Sequence, residues 1–290
     1  MSSKFYKINI IMTTFVSIGD SFTFGNELQD FIAITRNSNK KRHFQQSQFT
    51  WAALTGKYLG FEHINVSSPG ISNAAIARRC IYEIERLSET GEDLIVGVMW
   101  TFHKRFEVYS KVNNRALQDL DYYQTVGSYH QYTFEEKLKL QGGYQNEEQY
   151  QTQLVAHEWD EAAGLGDISR IYEKYLDNTF YLMESLRNIV LLKSYLESKN
   201  IKYFFLKAAN IGIDDQKDYY DVYSRSFKKI VDEANWVTAP YFCDWAKVKK
   251  YAIGPSNHPL EDAHAAYTEQ YIVPYLNSRG YVKPKVNDGS

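Results

Sequence analysis

The chain has 290 residues, long enough for one α/β domain with a large elaboration, and its 33 basic and 35 acidic side chains leave a net charge of −2. That balance gives no footing to a nucleic-acid or anionic-membrane partner, and no apolar run of about 18 residues is present to cross a bilayer. Cys80 and Cys243 are too sparse for a disulfide framework and read as reduced thiols.

Residues 1–11 are broken by Lys7 and Asn9 and lead to no small-residue cleavage site. They read as an extension outside the fold rather than a secretory leader, and the expected compartment is the cytoplasm. A β-forming run, Phe15-Val16-Ser17-Ile18, stops at Gly19-Asp20-Ser21, which puts Ser21 at the carboxyl end of a first strand. Residues 26–48 are polar and read as a surface loop. Trp51, Leu54 and Tyr58 share one face of a helix over 49–58, ended by Gly60, and 61–66 reads as a second strand closed by a Pro69-Gly70 turn. Ser72 and Asn73 can each cap a helix whose apolar face is Ile76, Cys80, Ile84 and Leu87. Residues 93–100 are almost continuously apolar, as buried parallel strands tend to be.

From 103 to 166 the chain is rich in Tyr, Gln and Glu and shows no strong period. It reads as an irregular insertion over the carboxyl edge of the sheet, suited to substrate selection, to a structural flap or to a partner surface. A long helix over 167–199, a strand over 201–206, a helix over 219–234, a short strand near Tyr241-Phe242 and a last helix over 261–276 bent by Pro274 complete the order. The expectation is a single domain over 12–290: a three-layer α/β/α sandwich around a mostly parallel five-stranded sheet, flavodoxin-like in outline. In such a sheet ligands bind at the carboxyl edge, where Ser21 falls.

The seven histidines are scattered without metal-ligand spacing, so neither a metal nor a cofactor is expected. The loop after the first strand lacks Gly-x-Gly-x-x-Gly and a Walker lysine, and no Gly-x-Ser-x-Gly elbow is present. Four other blocks occur in order: Gly19-Asp20-Ser21, Pro69-Gly70-Ile71-Ser72-Asn73, Gly97-Val98-Met99-Trp100-Thr101, and His258-Pro259 just ahead of a helix. With them the chain resembles the SGNH (GDSL-type) hydrolases. More narrowly it is similar to SGNH-like proteins of tailed phages, whose opening, here Gly19 to Leu28, precedes a Trp-bearing helix and a PGxSN segment. The likeness covers the first hundred residues and the end of the chain, not 103–165.

The resemblance implies the SGNH hydrolase fold and acyl-ester hydrolysis, with Ser21 as nucleophile and His258 as base. It also implies an oxyanion hole from the backbone N–H groups of Ser21 and Gly70, with Thr101 standing where the family has asparagine. Pro255 stands where the family's aspartate lies, three residues before the histidine. Three readings stay open: a Ser-His dyad, a carboxylate from elsewhere such as Asp244, or a site that no longer turns over. Asp20 reads as a hydrogen-bonding residue of the nucleophile turn, and Asn73 and His264 as supporting or packing residues. The implied substrate is a small acyl ester, with an O-acetyl group on a carbohydrate as one form. The alternative is an SGNH-fold glycan- or partner-binding protein with little or no catalysis, an accessory or structural phage component associated with the virion. Oligomeric state is not legible in the sequence.

Overall fold

A computed structural model describes residues 13–30, 46–89, 91–103, 105–109, 123–127, 175, 178–209 and 222–282. The expected extension at 1–11, much of the 26–48 loop and most of the 103–166 insertion lie outside the described residues. The main sheet has four parallel strands in the order β2 (Glu62–Asn65), β1 (Thr13–Ile18), β3 (Asp93–Trp100) and β6 (Lys202–Lys207). In register, Ser17 pairs with Asn65 on one side and Gly97 on the other, and Val98 pairs with Phe205.

Side chains alternate across the sheet, so each strand feeds two cores. Val16, Ile18, Val96, Val98, Trp100 and Phe205 pack with residues of α3 (Asn73–Ser88), α4 (Asn178–Ser198) and α5 (Val222–Asp232). Phe15, Ile95, Met99, Phe204 and Leu206 pack with residues of α2 (Trp51–Leu59), α6 (Phe242–Val248) and α7 (Glu261–Tyr267). The result is a three-layer α/β/α sandwich. Helices on both faces are why β3 carries no polar alternation after Asp93.

Three expectations change in detail. Beyond β6, among the described residues, the fifth strand reduces to an isolated parallel bridge between Phe205 and Trp236. Tyr241-Phe242 instead lead into α6, because Pro240 lacks the N–H a ladder needs and Phe242 is drawn into the core. The last helix is α7, a π-helical turn over Thr268–Ile272, then α8 (Val273–Ser278) with Pro274 in its first turn. The wide turn, closed by the Val273 N–H on Thr268 O, takes up the missing donor and ring of Pro274. The insertion, read as irregular, opens with an antiparallel hairpin of β4 (Arg105–Tyr109) and β5 (Tyr123–Gly127), and β4 packs on α3 and α4. Among the described residues no helix is long and apolar enough to cross a membrane.

Candidate active site

The turn that carries Ser21 follows β1 directly. A Cβ on Gly19 would lie 2.1 Å from Thr23 Oγ1 and 3.0 Å from Met99 O, so a side chain there would block the chain's passage between β3 and α1 (Ser21–Phe24). Asp20 caps α1, its Oδ1 accepting from the Phe22 N–H at 3.2 Å. This leaves Ser21 at the first helical position, 6% exposed, at the carboxyl edge of the sheet.

His258 arrives from the other end of the chain on a short hairpin. Ile253 bridges Pro259, the Gly254 N–H donates to His258 O at 2.8 Å, and the Asn257 N–H donates to Gly254 O at 2.9 Å. His258 Nε2 lies 2.8 Å from Ser21 Oγ, and its Nδ1 lies 2.9 Å from Glu27 Oε2. The Ser256 N–H also donates to Glu27, at 2.8 and 3.1 Å to its two oxygens. Space for that carboxylate comes from Gly254, where a Cβ would sit 2.5 Å from Glu27 Oε2. Burial pulls the Glu27 carboxyl upward, but the hydrogen bonds from His258 and Ser256 outweigh it and leave the pKa below the ordinary 4.5. An ionised Glu27 can only accept, so Nδ1 carries the proton and Nε2 accepts from the Ser21 hydroxyl.

The carboxylate that meets His258 Nδ1 thus comes from the loop that follows Ser21, and not from position 255. Asp244, the sequence candidate, is exposed on α6 and hydrogen-bonds to neither Ser21 nor His258. Its helix turns it to solvent because Phe242, Cys243, Trp245 and Ala246 take the buried face. Glu27 has no role in the sequence expectations; the signal that could have pointed to it is its place, six residues after Ser21, within the Gly19–Leu28 segment.

Behind Ser21 lies a buried polar cluster. Thr101 Oγ1 donates to Asp20 Oδ2 at 2.5 Å and accepts from Arg105 Nη1 at 2.9 Å. The hydroxyl has one proton, and Asp20 takes it, so Thr101 has none to give an acyl oxygen. This corrects the expectation drawn for Thr101. Asn73 Oδ1 accepts from the Thr101 N–H at 2.9 Å, while its Nδ2 donates to Thr101 O at 3.1 Å and Ser185 Oγ at 3.0 Å. It ties the start of α3 to the end of β3. Gly70, at φ +76°, turns the chain between β2 and α3, and the Ser68 N–H donates to Gly19 O at 3.3 Å, which lays this loop against the turn that carries Ser21.

His264 is a core residue. Its Nδ1 accepts from the Trp51 N–H at 3.1 Å, its ring packs 4.7 Å from Phe242, and burial pushes its pKa down to about 3. A second Ser-His contact, Ser17 Oγ to His63 Nε2 at 2.8 Å, links β1 to β2, and His63 shares neither the Ser21 nor the Glu27 hydrogen bond of His258.

No family model matches the chain, and no curated protein matches it. Among solved structures the chain is similar to TesA, at 13% identity over 91% of this chain and 98% of that one, TM-score 0.43. It is similar to the psychrotrophic esterase EstA from Pseudoalteromonas sp. inhibited by monoethylphosphonate, at 12% identity over 92% of this chain and 97% of that one, TM-score 0.44. It is also similar to the acetyl xylan esterase Est2A from the rumen bacterium Butyrivibrio proteoclasticus, at 12% identity over 95% of this chain and 66% of that one, TM-score 0.39.

Proposed function

We propose that the protein is a serine ester hydrolase with Ser21 as nucleophile, His258 as general base and Glu27 as the carboxylate that orients the base. The observation that carries this reading is the unbroken line of two hydrogen bonds, Ser21 Oγ to His258 Nε2 at 2.8 Å and His258 Nδ1 to Glu27 Oε2 at 2.9 Å. As Oγ attacks the acyl carbon, Nε2 takes its proton, and Glu27 steadies the imidazolium that forms. His258 then returns the proton to the departing alcohol oxygen, and water, activated by the same base, releases the acid. We assign the oxyanion hole to the backbone N–H of Ser21, with the Gly70 N–H as the second donor that the resemblance implies. The Phe22 N–H is taken by Asp20 Oδ1, and those of Thr23 and Phe24 by Asp20 O, so the Ser21 N–H stands outside these bonds.

The substrate class is a small acyl ester. Phe22 packs 5.0 Å from the His258 ring and 6.4 Å from Phe102, an aromatic wall beside the nucleophile. An O-acetylated carbohydrate is the form to test first, because Tyr122, Tyr123, Tyr129 and Tyr132 of the insertion offer apolar faces with polar tips. The test is covalent labelling by a fluorophosphonate, read by intact mass. Wild type is expected to gain one adduct, and Ser21→Ala and His258→Ala none. A folded wild type that stays unlabelled would overturn hydrolysis and leave the glycan- or partner-binding alternative.

A further inference from the structure

The insertion sends one residue into the ground beneath the nucleophile. Arg105, the first residue of β4, has a side chain 4% exposed, paired with an Asp20 side chain that is 0% exposed. Its Nη1 donates to Asp20 Oδ2 at 2.8 Å, to Thr101 Oγ1 at 2.9 Å and to Ile71 O at 3.4 Å. Those acceptors belong to three separate segments: the turn before Ser21, the end of β3, and the loop after Gly70. The guanidinium also lies 4.9 Å over the Phe102 ring, which packs on Phe22, and Phe22 packs on His258.

From this geometry we infer that Arg105 is a positioning residue for the nucleophile turn, acting through Asp20; the inference rests on the reading of Ser21 as nucleophile. Asp20 has two tasks at once. One oxygen caps α1 at Phe22, and the other takes the Thr101 proton and the Arg105 cation. Its side chain is fixed on both sides, and the backbone that carries Ser21 is fixed with it. A buried carboxylate without its cation would draw in water or a proton, and either would release the second oxygen. Since Asp20 is adjacent to Ser21, the loss appears as a misaimed Oγ, and the Gly70 loop loses its contact through Ile71 O. Arg105 thus makes the insertion part of the frame that braces the serine.

The experiment compares Arg105→Lys, Arg105→Gln, Asp20→Asn and the double variant Asp20→Asn/Arg105→Gln, with thermal midpoints measured alongside. The readouts are the saturation kinetics of fluorophosphonate labelling and the kcat and KM for p-nitrophenyl acetate. Arg105→Gln is expected to lower the maximal labelling rate and kcat on the order of 100-fold with KM little changed, as a misplaced reacting group does. Arg105→Lys, which keeps the cation, is expected to recover about ten-fold of that loss. The double variant leaves no buried charge alone and is expected to fold even where Arg105→Gln does not. It should be no slower than the worse of the single variants, because both act on one element. Wild-type rates in every folded variant, a rise in KM alone, or fully additive losses would each overturn the inference, as would failure of all four to fold, which makes Arg105 a stability residue. Failure of the wild type itself to label would refute the hydrolase reading rather than this one.

Discussion

Glu27 leaves the loop after Ser21 at φ +68°, a conformation uncommon for a residue with a side chain, and its carboxylate meets the Ser256 N–H and His258 Nδ1 from a hairpin near the other end of the chain. The hairpin is shaped to receive it, with no Cβ at Gly254 in the way. Replacing Glu27 by glutamine offers Nδ1 an amide that can donate as well as accept, so the imidazole loses its enforced tautomer. Glu27→Gln is expected to reduce fluorophosphonate labelling on the order of 10³ to 10⁴-fold in a protein that still folds. Labelling of Glu27→Gln at the wild-type rate would show that Ser21 and His258 work as a dyad. Gly254→Ala should push the carboxylate off Nδ1 and reproduce part of the same loss without altering any proposed catalytic group.

At the level of elements, the site depends on where strands end and helices begin. Ser72 caps α3 by accepting from the Ala75 N–H, and Asn73 beside it clasps both backbone groups of Thr101 at the end of β3. Serine and asparagine were both legible as caps. That one serves the helix and the other a strand followed only from seeing β3 end beside α3. Asn73→Ala leaves the buried Thr101 N–H without its acceptor and is expected to cost about 1–3 kcal/mol, measured by urea unfolding. A change under about 0.5 kcal/mol would mean that water or a neighbour replaces the amide. Pro274 was legible as a break in the last helix, but the form of the break, a π-helical turn, depends on the buried pegs Tyr267, Ile272 and Leu276 keeping to the core side.

At the scale of the whole molecule, two histidines among the described residues, His264 and His63, stay neutral in the fold. Burial pushes His264 from 6.5 to about 3 and His63 from 6.5 to about 4. Below pH 6.5 the unfolded chain takes up protons at these positions while the folded chain does not. Stability therefore falls with acid from about pH 6.5 until the folded values are reached, by up to about 1.4 kcal/mol per pH unit for each histidine. Glu27 acts lower on the scale: its folded pKa is depressed below 4.5, so its contribution is present above that value and lost as pH falls through the folded one. In His264→Asn, which keeps an acceptor for the Trp51 N–H, the slope of unfolding free energy between about pH 6 and about pH 4 should shrink by one proton's worth. An unchanged slope would assign the acid loss to other groups.

The apolar continuity of Asp93–Trp100, the turn at Gly19 and the periodicity of Ile76, Cys80, Ile84 and Leu87 determined where strands and helices fall along the chain, because burial on one or two faces writes itself into neighbouring residues. The same local record placed Ser21 at the edge of the sheet and His258 ahead of a helix. Only the tertiary structure decided that Glu27 rather than Asp244 meets His258, that the Thr101 proton goes to Asp20, and that Arg105 emerges from an aperiodic stretch to join them. A carboxylate finds its imidazole, or a cation its buried anion, by distance in space, and no spacing along the chain records where a hairpin or an insertion folds back.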